Sequence, residues 1–369
     1  MVRNSTRFIT MFFLIAILIT ACSTPETVVP TAEVVPTEIP VIATATPMAT
    51  AIPASPTIEP SPTTITLPED LTVIPLVRGQ VTSRPFAIMI DNHPDAYPQS
   101  GLNRASVVIE ALAEYGITRY LAIYPGNLTA DDRAIGPVRS ARDYYVQWAM
   151  GFGAFYLHAG GSPTGLALAE SSPVIVNVDA LRADSEANFF RVETATRFAP
   201  HNLYTTGSIL RALGSSDTGF TRSDVGYLYA LPMGMEQRGS ASTITYYFEY
   251  ADQPVGWTYD PVSNSYFRTR FGKPAVDEVS QAQLSTQNVV IIEVSEAAIE
   301  GDDKGRIEQQ IIGSGKGIFY HDGVREEITW QKSSAEAQLT FYAKDGKEVY
   351  FTAGQIWISA IPSLDHISE

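Results

Sequence analysis

The chain has 369 residues, and its 25 Lys and Arg against 40 Asp and Glu give a formal net charge of −15 at pH 7. A protein this acidic is repelled by phosphate backbones, so we expect no binding of nucleic acid. The chain contains one cysteine, which excludes an internal disulfide and a cysteine-based metal site. Stability must therefore come from an ordinary buried core.

The first residues have the layout of a bacterial lipoprotein signal. Arg3 and Arg7 precede an apolar stretch at residues 12–19, and small residues then lead to Cys22. The stretch is shorter than the ~20 apolar residues that a membrane-spanning helix needs. We interpret residues 1–21 as a signal peptide and Cys22 as an acylated residue, bearing chains such as palmitate, that anchors the protein to the outer face of the cytoplasmic membrane. The alternative is an ordinary secretory signal with a chance cysteine.

Residues 22–77 form a low-complexity tract rich in Thr, Pro, Val and Ala. Its frequent prolines remove backbone donors, so neither a helix nor a sheet can propagate through it. The tract also has few large apolar residues and cannot bury enough surface to order itself. We predict a disordered stalk between the anchor and a folded domain.

Residues 78–220 are predicted to form a mixed α/β domain. The run from Phe86 to Asp91 is apolar up to its last residue, which is typical of a buried strand with polar groups at its end. Helical spacing covers residues 139–150, where Arg139 and Arg142 would share one helix face. Further strands are predicted at residues 107–109, 120–124 and 155–157, and further helices from Pro163, capped by Ser162, and at residues 209–213, capped by Thr205 or Thr206.

The chain changes character after a Gly- and Ser-rich connector at residues 221–240. Residues 241–369 contain strand-like runs that are separated by turn sequences such as Asp322-Gly323 and Gly313-Ser314-Gly315. This pattern predicts a mostly antiparallel β domain. The fold class expected for the chain is therefore α+β, with a mixed α/β domain followed by a β-rich one.

Several long motifs resemble an uncharacterised bacterial lipoprotein family, DUF3048, also called the YerB-like lipoproteins. In the first half they are Asp91-Asn92, residues 98–102, 116–119, 135–142, 158–163 and 199–204, and in the second half residues 257–260, 288–290 and 354–358. The resemblance implies a surface lipoprotein with an N-terminal domain and a C-terminal β domain, and it implies no established reaction. One position departs from the family pattern, because Ala275 stands where the family resemblance leads us to expect histidine.

Arginines recur beside Gly-rich turns in the first half of this acidic chain. Guanidinium groups bind carboxylates and phosphates bidentately, so the pattern predicts a pocket for an anionic ligand. The alternative is that these arginines form internal ion pairs with Asp91, Glu110, Glu114, Asp143 or Asp179. The candidate ligand-binding residues are Asn92, Arg119, Arg139, Ser140, Arg142, Gly160, Gly161, Ser162, Arg197 and Asn202, with Arg191 as a further arginine of the same kind.

Three histidines of the first half, His93, His158 and His201, each have polar residues nearby in sequence. Histidine titrates near neutral pH, which makes Asp91, His158 and His201 candidates for acid and base catalysis. Zinc binding and a purely structural role are the alternatives, and we predict neither a metal nor a cofactor. Ser162 lacks the sequence of a nucleophile elbow and is better explained as a helix cap.

Two functions remain open on the sequence alone. In the first, the protein is a lipid-anchored binding module for an anionic cell-envelope ligand or an envelope protein partner. In the second, it is an envelope hydrolase that acts on glycan or phosphoester with histidine and aspartate as acid and base. The recurrence of arginine and glycine favours the binding module.

Overall fold

The structure is a computed structural model that describes residues 71, 73–240 and 243–369. The predicted signal peptide, Cys22 and most of the predicted stalk lie outside the described residues. The described residues belong to one compact unit. None of their helices is long and apolar enough to cross a membrane.

The first half contains eight strands and three helices. They are β1 (Phe86–Asp91), β2 (Val107–Glu114), β3 (Ile117–Tyr124), β4 (Ala134–Ile135), α1 (Asp143–Phe152), β5 (Phe155–His158), α2 (Pro163–Ser171), β6 (Val176–Asp179), β7 (Phe190–Arg191), β8 (Leu203–Thr206) and α3 (Gly207–Gly214). Short 3-10 turns lie between several of them.

The second half contains strands and no α-helix among its described residues. The strands are β9 (Tyr229–Ala230), β10 (Thr243–Tyr246), β11 (Val255–Asp260), β12 (Ser265–Arg270), β13 (Lys273–Pro274), β14 (Ser285–Thr286), β15 (Asn288–Glu293), β16 (Glu296–Ala298), β17 (Ile307–Gln309), β18 (Gly313–His321), β19 (Val324–Lys332), β20 (Thr340–Ala343), β21 (Phe351–Thr352), β22 (Ile356–Ile361) and β23 (Ile367–Ser368). The predicted α+β class, with a β-rich second half, is confirmed.

A ten-stranded sheet runs through both halves in the order β20-β19-β18-β15-β22-β2-β3-β1-β5-β6. The halves meet where β2 and β22 pair in parallel, from Val107 opposite Ile356 to Ala111 opposite Ala360. The segments predicted as separate domains therefore share backbone hydrogen bonds. The division of the chain into two domains stays a prediction.

Both faces of the ten-stranded sheet are covered. This explains why β1 is apolar at every position before its last residue, Asp91. Ala87 and Met89 join a core that includes α1, whereas Ile88 and Ile90 join a core that includes Trp257 of β11. Successive side chains of a strand point to opposite faces, so a strand that is covered on both sides needs apolar residues at every position. The helices α1 and α2 pack on one face, and the smaller sheet built around β10, β11 and β12 packs on the other.

Helix capping follows the sequence prediction at two helices. The Ser162 hydroxyl accepts from the Gly165 amide at the start of α2, and the Thr206 hydroxyl accepts from the Ile209 amide at the start of α3. Side-chain oxygens at these positions satisfy amides that have no partner within the helix.

Two local predictions are wrong. Helix α1 begins at Asp143, and the preceding residue Arg142 is extended, with φ −132° and ψ 151°. Arg139 and Arg142 therefore share no helix face; their segment instead runs beside β1, where the Arg139 amide donates to the Met89 carbonyl. Residues 313–315, predicted as a turn, belong to β18, which pairs with β19 from Gly313 opposite Lys332.

Candidate functional site

The end of β1 carries Asp91, which is almost fully buried. The segment at residues 135–142 passes beside this strand end, and the Asp91 amide donates to the Pro137 carbonyl at 2.8 Å. Antiparallel pairing with β3 places Arg119 opposite Asp91. Strand pairing and the neighbouring segment thus fix the Asp91 carboxylate in position.

Three groups converge on the Asp91 carboxylate. The His93 amide lies 3.0 Å from Oδ1, His201 Nδ1 lies 2.7 Å from Oδ2, and Arg139 Nε lies 3.3 Å from Oδ2. Burial alone would raise the pKa of Asp91, but the His201 hydrogen bond and the Arg139 charge outweigh burial and hold this pKa below its ordinary value. Asp91 is therefore an ionised acceptor at neutral pH.

An ionised Asp91 determines how His201 presents its ring. Nδ1–H of His201 donates to the carboxylate, so Nε2 points away from Asp91 and is free to accept or carry a proton. The His201 side chain is 15% exposed, against 3% for Asp91. This is the arrangement in which a carboxylate orients a histidine for proton transfer or for binding an anion.

The ring of His93 stacks on His201, with centroids 4.6 Å apart and planes inclined by 20°. His93 Nδ1 accepts from the Asp95 amide at 3.2 Å, which leaves Nε2 as the ring donor. Within the described residues, neither Nε2 atom has a hydrogen-bond partner, and the terminal nitrogens of Arg139 have none either. We call Asp91, His93, Arg139 and His201 the His–Asp–Arg cluster.

The His–Asp–Arg cluster gathers donors around one buried carboxylate. Arg139 supplies a permanent positive charge, and its side chain is 25% exposed. Each imidazole can add an N–H donor beside this charge. The arrangement can bind a phosphate or carboxylate group and can also accept a proton from a bound ligand.

The same region includes a group with metal-ligand chemistry. Donor atoms of His93, Asp95 and His201 all lie within 4.8 Å of one another. The two rings are nearly parallel, so their in-plane lone pairs run side by side, and a shared ion would need one ring to turn. The absence of a metal in the native protein therefore stays a prediction.

Arg119 and Arg142 do not belong to the His–Asp–Arg cluster and instead share an acceptor, Glu114. Both donate to the Glu114 carboxylate, Arg119 to Oε1 and Arg142 to Oε2, and Arg119 also donates to the Ser140 carbonyl at 3.0 Å. Arg142 donates in addition to the Ala141 carbonyl. These two arginines and the Ser140 backbone are engaged in an internal ion-pair network, as in the alternative raised on the sequence.

His158 is completely buried and lies outside the His–Asp–Arg cluster. Its ring nitrogens lie 2.9 Å from the Gly160 carbonyl and 2.8 Å from Asn177 Oδ1, so neither is open to a substrate. The Gly160 amide donates to Asp179, and Gly161 forms a bridge with Ala141. This geometry gives His158, Gly160, Gly161 and the capping Ser162 structural roles.

The remaining candidates are also held inside the protein. Arg197 donates to the Tyr204 hydroxyl, to Glu278 and to the carbonyls of Tyr97 and Pro98, which ties the two halves together. Asn202 is fully buried and accepts from Arg191 at 2.8 Å. Asn92 is fully buried and donates to Thr118 and Glu110.

Of the sequence candidates, the structure brings together Asp91, Arg139 and His201. Asp95 was missed, and His93 was noted as a histidine without being placed in the site. The spacing of Asp91, His93 and Asp95 directly after a buried strand could have indicated both, because such a loop gathers polar groups at a strand end.

The chain matches models of both domains of one family. Residues 71–221 match the N-terminal domain, and residues 244–358 the C-terminal domain, of the protein of unknown function DUF3048. YerB of Bacillus subtilis (strain 168), named as a candidate lipoprotein, is 31% identical over 287 residues, covering 77% of this chain and 83% of YerB. The crystal structure of YerB from Bacillus subtilis aligns with a TM-score of 0.66 over 78% of this chain and 93% of that one.

These relationships place a protein named as a lipoprotein among the relatives of this chain, and the lipid anchor of this chain itself stays a prediction. They also explain why the sequence motifs of the two halves occur together. With both domains matched and a 31% identical relative that aligns over most of both chains, the chain belongs to the DUF3048 family.

Proposed function

We propose that the protein is an extracytoplasmic lipoprotein that binds an anionic cell-envelope ligand, or an acidic surface of an envelope protein, through the His–Asp–Arg cluster. One observation carries the proposal. Arg139 and two imidazole rings present unpaired nitrogens, and the Asp91 carboxylate holds Arg139 and His201 while the His93 ring stacks on His201. Their partial exposure leaves room for a ligand, whereas Arg119, Arg142 and Arg197 are already engaged by protein acceptors.

Attachment to the outer face of the membrane rests on Cys22. Growth with an alkyne-bearing palmitate analogue should label the wild-type protein, because a cysteine at the cut site takes acyl chains. We expect Cys22→Ser to lose the label and to move the protein from the membrane fraction to the soluble fraction. Equal labelling of both proteins would show that Cys22 carries no lipid.

Ligand binding is tested by thermal shift on the unacylated chain, residues 22–369 with Cys22→Ser. The panel contains glycerol phosphate polymers, glycerol 3-phosphate, wall peptides with free carboxylates and neutral wall sugars. A ligand at a hundred times its dissociation constant stabilises by about 2.7 kcal/mol. We expect a shift from phosphate- or carboxylate-bearing compounds and none from neutral sugars.

Arg139→Gln is expected to remove this shift, because it deletes the permanent charge of the cluster. Arg182→Gln is the matched control, since Arg182 is 47% exposed and pairs with Glu170 and Asp184 instead. A shift that survives in Arg139→Gln, or that disappears equally in the control, contradicts the proposed site.

The orientation of His201 by Asp91 favours a second function, an envelope hydrolase with His201 as base. His201 Nε2 is the atom that would take a proton from water, and Arg139 would hold the charge of a phosphoester. Turnover of envelope glycans or phosphoesters by the wild-type protein that is lost in His201→Ala would favour the enzyme. Ligand binding without turnover on any of these substrates favours the binding module.

A further inference from the structure

A cavity lies where the two halves of the chain meet. Its volume is about 350 Å³, within the range of small-molecule sites. Tyr97 and Gln99 of the first half line one side, and the segment from Arg270 to Val276 lines the other. We call it the junction cavity.

The lining of the junction cavity is mostly apolar. Tyr120, Phe271, Pro274, Val276 and Leu284 contribute rings and aliphatic groups, and no aspartate or glutamate lines it. Its two charged groups, Arg270 and Lys273, are both positive. In a chain of net charge −15, a cavity with cations and no acid favours an anion.

Arg270 is the unusual residue of this cavity. Its guanidinium lies over the ring of Tyr97 at 4.6 Å and over the ring of Phe271 at 4.9 Å. Its Nη1 atom is buried without a hydrogen-bond partner. Among the arginines that the structure describes, Arg270 alone makes neither a side-chain hydrogen bond nor a salt bridge.

The buried Nη1 of Arg270 is unfavourable, since this donor has lost water without gaining an acceptor. The two aromatic rings hold its plane in place and cannot accept its hydrogen bonds as a carboxylate or phosphate would. No carboxylate lines the junction cavity, so an anionic group that enters it would supply the acceptor that Nη1 lacks.

We propose that the junction cavity binds an anionic amphiphile, whose carboxylate or phosphate pairs with Arg270 and whose apolar chain lies against the aromatic and aliphatic lining. Lys273 adds a second charge at the same end. This site is separate from the His–Asp–Arg cluster and does not depend on the function proposed there.

Calorimetric titration of the unacylated chain tests the proposal with three probes of equal chain length: decanoate, decanol and decyltrimethylammonium. We expect one decanoate to bind per chain, at least about tenfold more tightly than decanol, because only decanoate can pair with Arg270. The cationic probe should bind most weakly. Equal affinity for decanoate and decanol, or no binding of decanoate, overturns the proposal.

Two variants separate the head group from the chain. Arg270→Gln should reduce decanoate affinity to that of decanol, and Arg270→Lys should restore part of the difference. Ala275→Trp should abolish binding of both, because Ala275 lines the cavity and a large ring there would fill it. Arg182→Gln is the control. Unchanged decanoate affinity in both Arg270→Gln and Ala275→Trp overturns the site.

The source of the amphiphile is distinguished by vesicles. If the head group is a phospholipid phosphate, the unacylated chain should sediment with phosphatidylglycerol vesicles, much less with phosphatidylcholine vesicles, and lose sedimentation in Arg270→Gln. If the ligand is a free acid, decanoate binds with the predicted pattern and no vesicle sediments the chain.

Discussion

Glu110→Ala is expected to produce the largest loss of stability of any single charged residue in the described chain, about 3–5 kcal/mol. Glu110 and Arg268 are both fully buried and join β2 to β12 at 2.7 Å, so the pair links the two halves. Trp357 and Trp257 lie 4.4 and 5.1 Å from the guanidinium. Burial alone would lower the pKa of Arg268, but Glu110 raises it, so the charge persists inside the protein.

Removing Glu110 leaves this buried charge without its counter-ion. Two nitrogens of Arg268, Nε and Nη1, already have no hydrogen-bond partner among the described residues, and the nearby Tyr246 hydroxyl brings no charge that could replace the carboxylate. Asn92, Thr118 and Trp357 also lose an acceptor. Urea unfolding of the unacylated chain measures the loss.

The matched control is Glu308→Ala, which removes an exposed carboxylate and should change the free energy of unfolding by less than about 0.5 kcal/mol. A double change, Glu110→Leu with Arg268→Met, should recover most of the loss, because apolar residues can replace a buried ion pair. A loss below about 1 kcal/mol in Glu110→Ala would mean that water reaches the pair.

Asp91→Asn is expected to have the second largest effect, about 1–3 kcal/mol at neutral pH. The amide cannot accept from His93, His201 and Arg139 with the strength of a carboxylate, and it removes the charge that pairs with Arg139. Release of the His201 ring should also weaken anion binding at the His–Asp–Arg cluster.

The stability difference between wild type and Asp91→Asn should depend on pH in a defined direction. The pKa of Asp91 in the folded protein lies below its ordinary value of 3.8. Its contribution is therefore fully present above pH 3.8 and is lost as the pH falls through the folded pKa. Urea unfolding from pH 7 downward should show the two proteins converging in acid. A constant difference at every pH would exclude the ionised carboxylate as the cause.

The sequence was sufficient for the parts of the fold that depend on local pattern. The run at β1 is apolar at successive positions, and Ser162 followed by Pro163 marks the start of α2; both features act over a few residues. Helical spacing misplaces the start of α1, because residues 137–139 pair with the end of β1 and Ala141 pairs with the turn at residues 160–162, contacts that this spacing cannot register. The family motifs further predict that an N-terminal domain is followed by a C-terminal β domain.

The candidate site was only partly predictable for the same reason. Asp91 and His201 are 110 residues apart, and no periodicity links them. Among five arginines of similar context, the sequence could not separate Arg139, which is partly free, from Arg119 and Arg142, which share Glu114. Arg268 and Glu110 were not paired either, because 158 residues separate them.

Anion binding at Arg139, His93 and His201 is the main functional proposal for this protein. The most direct measurement is the nitrogen spectrum of histidine rings in the unacylated chain, labelled with ¹⁵N-histidine, during titration with glycerol 3-phosphate. We expect the signals of His93 and His201 to move together, those of His158 and His321 to stay unchanged, and Arg139→Gln to abolish the movement. If the His93 and His201 signals do not change at saturating glycerol 3-phosphate, or if they move equally in Arg139→Gln, an anion does not bind at this cluster.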